Sequence, residues 1–182
     1  MNVTNSTSKQ KGNFTIEFAV VGVALALLLV FSMDVIVKLA YKGKLDRLSY
    51  SLVNVAKERT QLYGEDFQMT EPDATALFNI ASNSLRRTAG SFELDGLGMV
   101  VEGLTFSGVG VPNNASVFEL GNYDCRLPQN IGDLQDLSVV TSWGRQARLY
   151  RVTICYETEN LFGRVLGGEF TRVRSSSVIV GR

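Results

Sequence analysis

The stretch Phe18–Met33 constrains this chain most: it holds fourteen apolar residues beside Gly22 and Ser32, with no charge between Glu17 and Asp34. Counted from Phe14, the twenty residues to Met33 rise about 30 Å as a helix, the thickness of a hydrocarbon core. The reading is a transmembrane helix over residues 13–37. A cleaved secretory signal competes with it, since Lys9 and Lys11 precede the apolar run. Against cleavage stand the length of the run and the lack of a small-x-small site, Lys38 lying three residues before the cut that would follow Ala40. The helical pattern also continues past the membrane.

That continuation has a period of its own. Tyr41, Leu45, Leu48, Leu52, Val55, Arg59 and Leu62 alternate steps of four and three, and all but Arg59 are apolar. From Phe14 to about Tyr63 there is no proline, and only Gly22 and Gly43 interrupt. One helix is expected to leave the bilayer as an amphipathic rod over residues 38–63, stopping near Gly64, Glu65 and Asp66. The alternative is a membrane anchor followed by a separate core helix.

A second helix is expected from Thr70. Thr70 suits the cap, Pro72 the first turn, and Asp73 places negative charge at the positive end of the dipole. Leu77, Ile80, Ala81, Ser84 and Leu85 mark its buried stripe, with Gly90 as terminator. After Gly90 the chain turns to β-branched and aromatic residues between glycines, giving expected strands at 91–95, 99–106, 116–120, 138–142, 148–158 and 169–180. Gly108 to Asn114 reads as a turn between strands. In the clearest strand Tyr150, Val152, Ile154 and Tyr156 alternate with Arg151, Thr153 and Glu157, the pattern of a sheet covered on one face. The fold class is therefore α+β: a long N-terminal helix, then a second helix on a mainly antiparallel sheet, residues 64–182 forming the globular domain.

Composition narrows the chemistry. The chain has no histidine, which removes serine and cysteine triads, the HExxH metal site and the usual proton shuttle near neutrality. Eighteen basic residues balance eighteen acidic ones with no basic block, so no nucleic-acid partner is expected. The glycines at 108, 110 and 163–168 lack the lysine and helix start of a phosphate loop. Asp124, Asp133 and Asp136 do not have the spacing of a known calcium loop. No enzyme activity, cofactor or metal is expected. Of the two cysteines, Cys125 lies in an expected loop and Cys155 in the clear strand. A disulfide is the preferred reading if the domain faces an oxidising compartment, and two buried thiols are the alternative.

The most specific signal precedes the apolar run: Lys11, Gly12, Asn13, Phe14, Thr15, Ile16, Glu17, Phe18. It resembles the class III signal of type IV prepilin peptidases, a short basic leader ending in glycine with a glutamate at the fifth mature position. The Glu17–Phe18 pair and the asparagine after the cut are similar to the tight adherence (Tad/Flp) group. The stretch from Gly43 through Tyr50, with Glu58 to Tyr63, resembles TadE/TadF-like pseudopilins, TadF in particular. The resemblance covers about residues 11–63.

It implies a prepilin leader at 1–12, cut after Gly12 to free an amine on Asn13, and assembly through Glu17, whose carboxylate would meet that amine on a neighbouring subunit. Glu17 complementing its own helix N-terminus is the simpler alternative. It also implies a noncatalytic minor pseudopilin, with pilus initiation, adhesion and biofilm formation as its setting. The implied partners are the prepilin peptidase, a TadE-like pseudopilin, the Flp-type major pilin, the inner-membrane assembly platform and membrane lipid. Gly22 and Ala26, four apart, offer a small-residue face for helix packing.

The implied placement is single-pass in the bacterial inner membrane, N-terminus cytoplasmic and C-terminal domain periplasmic. Charge alone does not select it: Lys9 and Lys11 before the crossing face Lys38, Lys42, Lys44 and Arg47 after it. Two other readings keep the anchor, a type II secretion pseudopilin and a bitopic protein whose heptads form a coiled coil.

Overall fold

The computed structural model describes residues 11–62, 68–160, 163, 167 and 171–181. The chain divides into two units, Met1–Val37 with Asn160–Phe170 and Lys38–Glu159 with Thr171–Arg182. Helix α1, Lys11–Leu62, is continuous over 52 residues. Its expected stop at Gly64 to Asp66 lies outside the described residues, as does most of the segment 161–170.

In the first unit every residue of α1 from Phe14 to Met33 is exposed. Phe14 and Phe18 stack one turn apart with ring centroids at 6.4 Å. The hydroxyl of Ser32 donates back to the Leu28 carbonyl at 2.7 Å, so the polar atom in the apolar run is satisfied within the helix. The run ends at Asp34, which is buried. Among the described helices, α1 is long and apolar enough to cross a membrane.

In the second unit α1 changes character. Leu45, Leu48, Leu52, Val53 and Ala56 are buried in the core, while Val55 is exposed. The heptad pattern thus holds through Leu52 and then shifts by a residue. A straight helix turns every 3.6 residues and drifts off a strict 3.5-residue seam; only a supercoiled partner would hold it there. This half of α1 packs on a domain core and not along a second rod.

Helix α2, Glu71–Thr88, starts as expected. The Asp73 carboxylate accepts from the Thr70 amide at 3.0 Å and from its hydroxyl. Ala74, Leu77, Ala81, Ser82 and Leu85 are buried, whereas the expected Ile80 is exposed. The helix ends at Thr88, two residues before the expected terminator Gly90: the extended Ala89 donates to the Leu85 carbonyl at 2.8 Å, and Gly90 adopts no left-handed turn.

The sheet is antiparallel, with order β4-β1-β5-β6: β1 Leu97–Leu104, β4 Ser116–Gly121, β5 Leu149–Glu157 and β6 Arg172–Val180. A small hairpin, β2 Phe106–Gly108 with β3 Val111–Pro112, encloses the expected glycine turn. Two expected strands are absent. Residues 91–95 lead into a 3-10 turn at Leu94–Gly96, and residues 138–142 follow a 3-10 helix, Ile131–Leu137, with one bridge from Val140 to Gln146. Among the described residues, those at 138–142 pair only with residues 145–147 just after them, where Ala147 donates to Val139 and Thr141 to Arg145, and join neither edge of the sheet.

The sheet is covered on both faces, which corrects the expectation of one. Met99, Val101, Tyr150, Val152, Ile154 and Tyr156 join the core formed with α1 and α2. On the reverse face Arg151, Thr153 and Cys155 are also buried. The cover there is the connection from β4 to β5, through Tyr123, Cys125, Leu127 and Ile131. It lies so close that a Cβ on Gly98 would meet the Tyr123 carbonyl oxygen at 1.9 Å, so β1 needs glycine at that point.

Candidate functional site

The sequence points to the start of α1. Gly12 and Asn13 are helical there, and Glu17 follows one turn after Asn13, about 6 Å along the axis at 1.5 Å per residue. Glu17 is exposed, beside the Phe14 and Phe18 stack. Gly22 and Ala26 are exposed on one face a turn apart, and a Cβ at Gly22 would meet nothing within 4 Å. Lys9 lies outside the described residues. This end of the chain therefore presents an apolar cylinder with one carboxylate near its start, a form suited to lipid or to other apolar helices.

Two of the basic residues after the apolar run, Lys42 and Lys44, are engaged in the domain. Lys42 pairs with Asp46 one turn on. Lys44 donates to the Thr88 carbonyl at 2.6 Å, at the C-terminal end of α2 where a cation complements the dipole. It also lies 5.5 Å from the Tyr41 ring centre. Tyr41 in turn stacks on Tyr156 at 5.0 Å, and Phe92 closes the stack at 5.7 Å. Two of the four cations that confuse a charge-based orientation, Lys42 and Lys44, thus have structural duties in the domain.

Helix α1 is fixed to β6 by a polar contact in an otherwise apolar interface. Ser49, fully buried, lies 2.9 Å from both Ser175 and Ser177 hydroxyls and donates to the Asp46 carbonyl at 3.1 Å. Ser175 donates to the Asp46 carboxylate at 2.5 Å. These contacts define the helix register on the sheet edge, since a one-residue rotation would bury unsatisfied hydroxyls. No periodicity argument singled them out.

Cys125 and Cys155 form a disulfide with Cα atoms 5.6 Å apart, packed with Val100, Tyr123 and Leu127. It ties the cover segment to β5. A second tie stands beside it: Arg151 on β5 makes a buried ion pair with Glu102 on β1. Arg151 also donates to the Gln129 carbonyl at 2.8 Å, and Glu102 accepts from the Ile131 amide at 3.2 Å. The alternation in β5 predicts an open face for Arg151; the signal that marks the pair is one acid and one base inside two largely apolar strands.

Among the described residues no group of three His, Cys, Asp or Glu side chains could hold a metal ion. Asp124 pairs with Arg126 at 3.0 Å, and Asp133 accepts from the Asn130 amide at 2.9 Å to start its 3-10 helix.

A family model described as "Putative tight adherence pilin protein F" (TadF) matches residues 5–182. No curated protein and no solved structure matches the chain.

Proposed function

The chain belongs to the TadF family of tight adherence pilin proteins, and from that premise we propose that it is a minor pseudopilin of the Tad pilus. A prepilin peptidase cuts after Gly12, leaving 170 of the 182 residues. The apolar half of α1 then anchors the protein in the inner membrane, with the disulfide-bonded domain in the periplasm. The observation that carries this reading is the uncharged, wholly exposed surface of α1 between Glu17 and Asp34.

The new Asn13 amine and the Glu17 carboxylate are the charges of the assembly step. A carboxylate in the apolar zone costs about 3 kcal/mol near the bilayer centre and less toward the interface. Pairing Glu17 with the amine of an adjoining subunit offsets that cost and selects a docked arrangement over a lone helix in lipid. Subunit helices approach along the Gly22 and Ala26 face, where small side chains allow close contact.

Partners in this scheme are a TadE-like pseudopilin, the Flp-type major pilin and the assembly platform. The role is pilus initiation in adhesion and biofilm formation, without catalysis. The engagement of Lys42 and Lys44 within the domain supports the outward orientation, since neither is then a simple topogenic charge.

The test is N-terminal sequencing of the protein from its host, with and without the peptidase, repeated on Gly12→Ala. A mature terminus at Asn13 that depends on both is expected. A Met1 terminus in the native host would refute maturation and leave a bitopic structural protein.

A further inference from the structure

We propose that a groove at one end of the domain binds an acidic peptide segment of another protein that carries aliphatic or aromatic side chains. One wall is the hairpin at residues 139–147. The Ala147 amide donates to the Val139 carbonyl at 2.9 Å, Thr141 to Arg145 at 2.8 Å, and Gly144 to Thr141 at 3.0 Å. Gly144 has φ +69°, which lets the tip turn tightly. The other wall is the hairpin of β2 and β3, joined to the first where the Gly110 amide donates to the Gln146 side chain at 2.6 Å.

Between them lies a cavity of about 720 Å³, within the size range of sites that take a small ligand or a short peptide. At its edge Trp143 is 81% exposed, on a turn already fixed by hydrogen bonds. A preorganised, exposed tryptophan matches the residue type that dominates interface energetics. Val139, which also lines the groove, is exposed as well.

Charge selects the occupant. Lys57, Arg145 and Arg148 line the groove, and among the described residues no Asp or Glu does. Glu58, 4.0 Å from Lys57, lies outside the lining. The Arg145 guanidinium lies 6.0 Å from the centre of the Trp143 ring, so a carboxylate reaching Arg145 brings its neighbouring side chain onto the indole. A planar lipid surface would meet the tip and leave the cavity between the hairpins empty, which favours a peptide. This site is separate from the N-terminal assembly contact and does not depend on it.

Trp143 is the chain's single tryptophan, so its fluorescence reports the groove directly. The full chain is reconstituted in phosphatidylcholine vesicles and titrated with a short synthetic peptide alternating glutamate with leucine and phenylalanine. A saturable blue shift is expected, with about tenfold weaker binding in Arg145→Glu, the scale of one lost charged contact. A lysine analogue of the peptide should give no shift, a comparison that needs no variant. Absence of a shift, equal binding of the two peptides, or unchanged affinity in Arg145→Glu overturns the proposal. So does a blue shift produced by phosphatidylglycerol vesicles alone, which would make the site a lipid contact.

Discussion

Arg151 and Glu102 stand directly opposite each other on β5 and β1 and form a two-point ion pair, their side chains 4% and 1% exposed. The second contact, Arg151 Nη2 to Glu102 Oε1, is 2.6 Å. Both groups also bond the cover segment, through the Gln129 carbonyl and the Ile131 amide. Desolvating two charges costs several kcal/mol, so the pair is favourable only because its remaining hydrogen-bonding positions are filled.

Removing one partner leaves the other charge buried and alone. Arg151→Met, or Glu102→Leu, is expected to lower stability by about 3 to 5 kcal/mol, whereas the double replacement recovers most of the loss. Denaturant midpoints of the four chains in one detergent measure this. A double variant as unstable as the sum of the singles would contradict coupling.

The disulfide acts on the same cover segment, closing a loop over 30 residues of sequence. In the chain-entropy treatment such a closure contributes about 3 to 4 kcal/mol. Cys125→Ala with Cys155→Ala is expected to lower stability by that amount. Combining it with Arg151→Met should cost less than the sum, because both ties restrain one segment. An unchanged midpoint in the cysteine-free chain would remove the disulfide from the account of stability.

Both helices, four sheet strands and the cysteine pairing were legible because each rests on local chemistry: an uncharged run, a Thr70 cap with Asp73, alternation in β5, two cysteines. What was not legible depends on what covers what. Arg151 and Thr153 read as solvent-facing because nothing in their own strand announces that the connection from β4 folds back over them. Residues 91–95 and 138–142 have the composition of strands, yet the first runs into a 3-10 turn and the second pairs only with its own return at 145–147, because composition does not say which ladder a segment joins. The Ser49, Ser175 and Ser177 contact joins residues 126 and 128 positions apart, beyond any periodicity. The family was legible as a resemblance in residues 11–63, and the family model matches residues 5–182.

Tyr156 lies at the centre of the aromatic stack, donating to the Ser91 carbonyl at 3.2 Å and accepting from the Glu93 amide at 3.0 Å. Burial pushes its phenol above the ordinary tyrosine range; the Glu93 amide opposes the shift and Tyr41 adds to it. A folded-state pKa above the unfolded one gives stability that is complete below about pH 10 and is lost as pH rises through the folded value. Tyr156→Phe is expected to cost about 1 kcal/mol at neutral pH, the usual worth of such hydrogen bonds. Its stability should then fall less steeply above about pH 10 than that of the parent chain. Parallel alkaline slopes in the two proteins would show that the phenol does not contribute.

Glu17 is the carboxylate at the start of the exposed apolar cylinder, and Glu17→Gln removes its charge while keeping its shape. Under the proposed assembly step, the variant should still be cut after Gly12 and should still enter the membrane, since an uncharged side chain lowers the insertion cost. What it loses is the charge that favours the docked subunit over the free one. At about 1.4 kcal/mol per factor of ten, losing even part of a membrane-zone ion pair predicts a fall in surface pili of about tenfold. Quantifying sheared pili beside the mass of the mature subunit separates the two effects. Normal piliation with normal cleavage would refute the contact between Glu17 and the neighbouring amine, while loss of cleavage itself would place the glutamate's role in peptidase recognition.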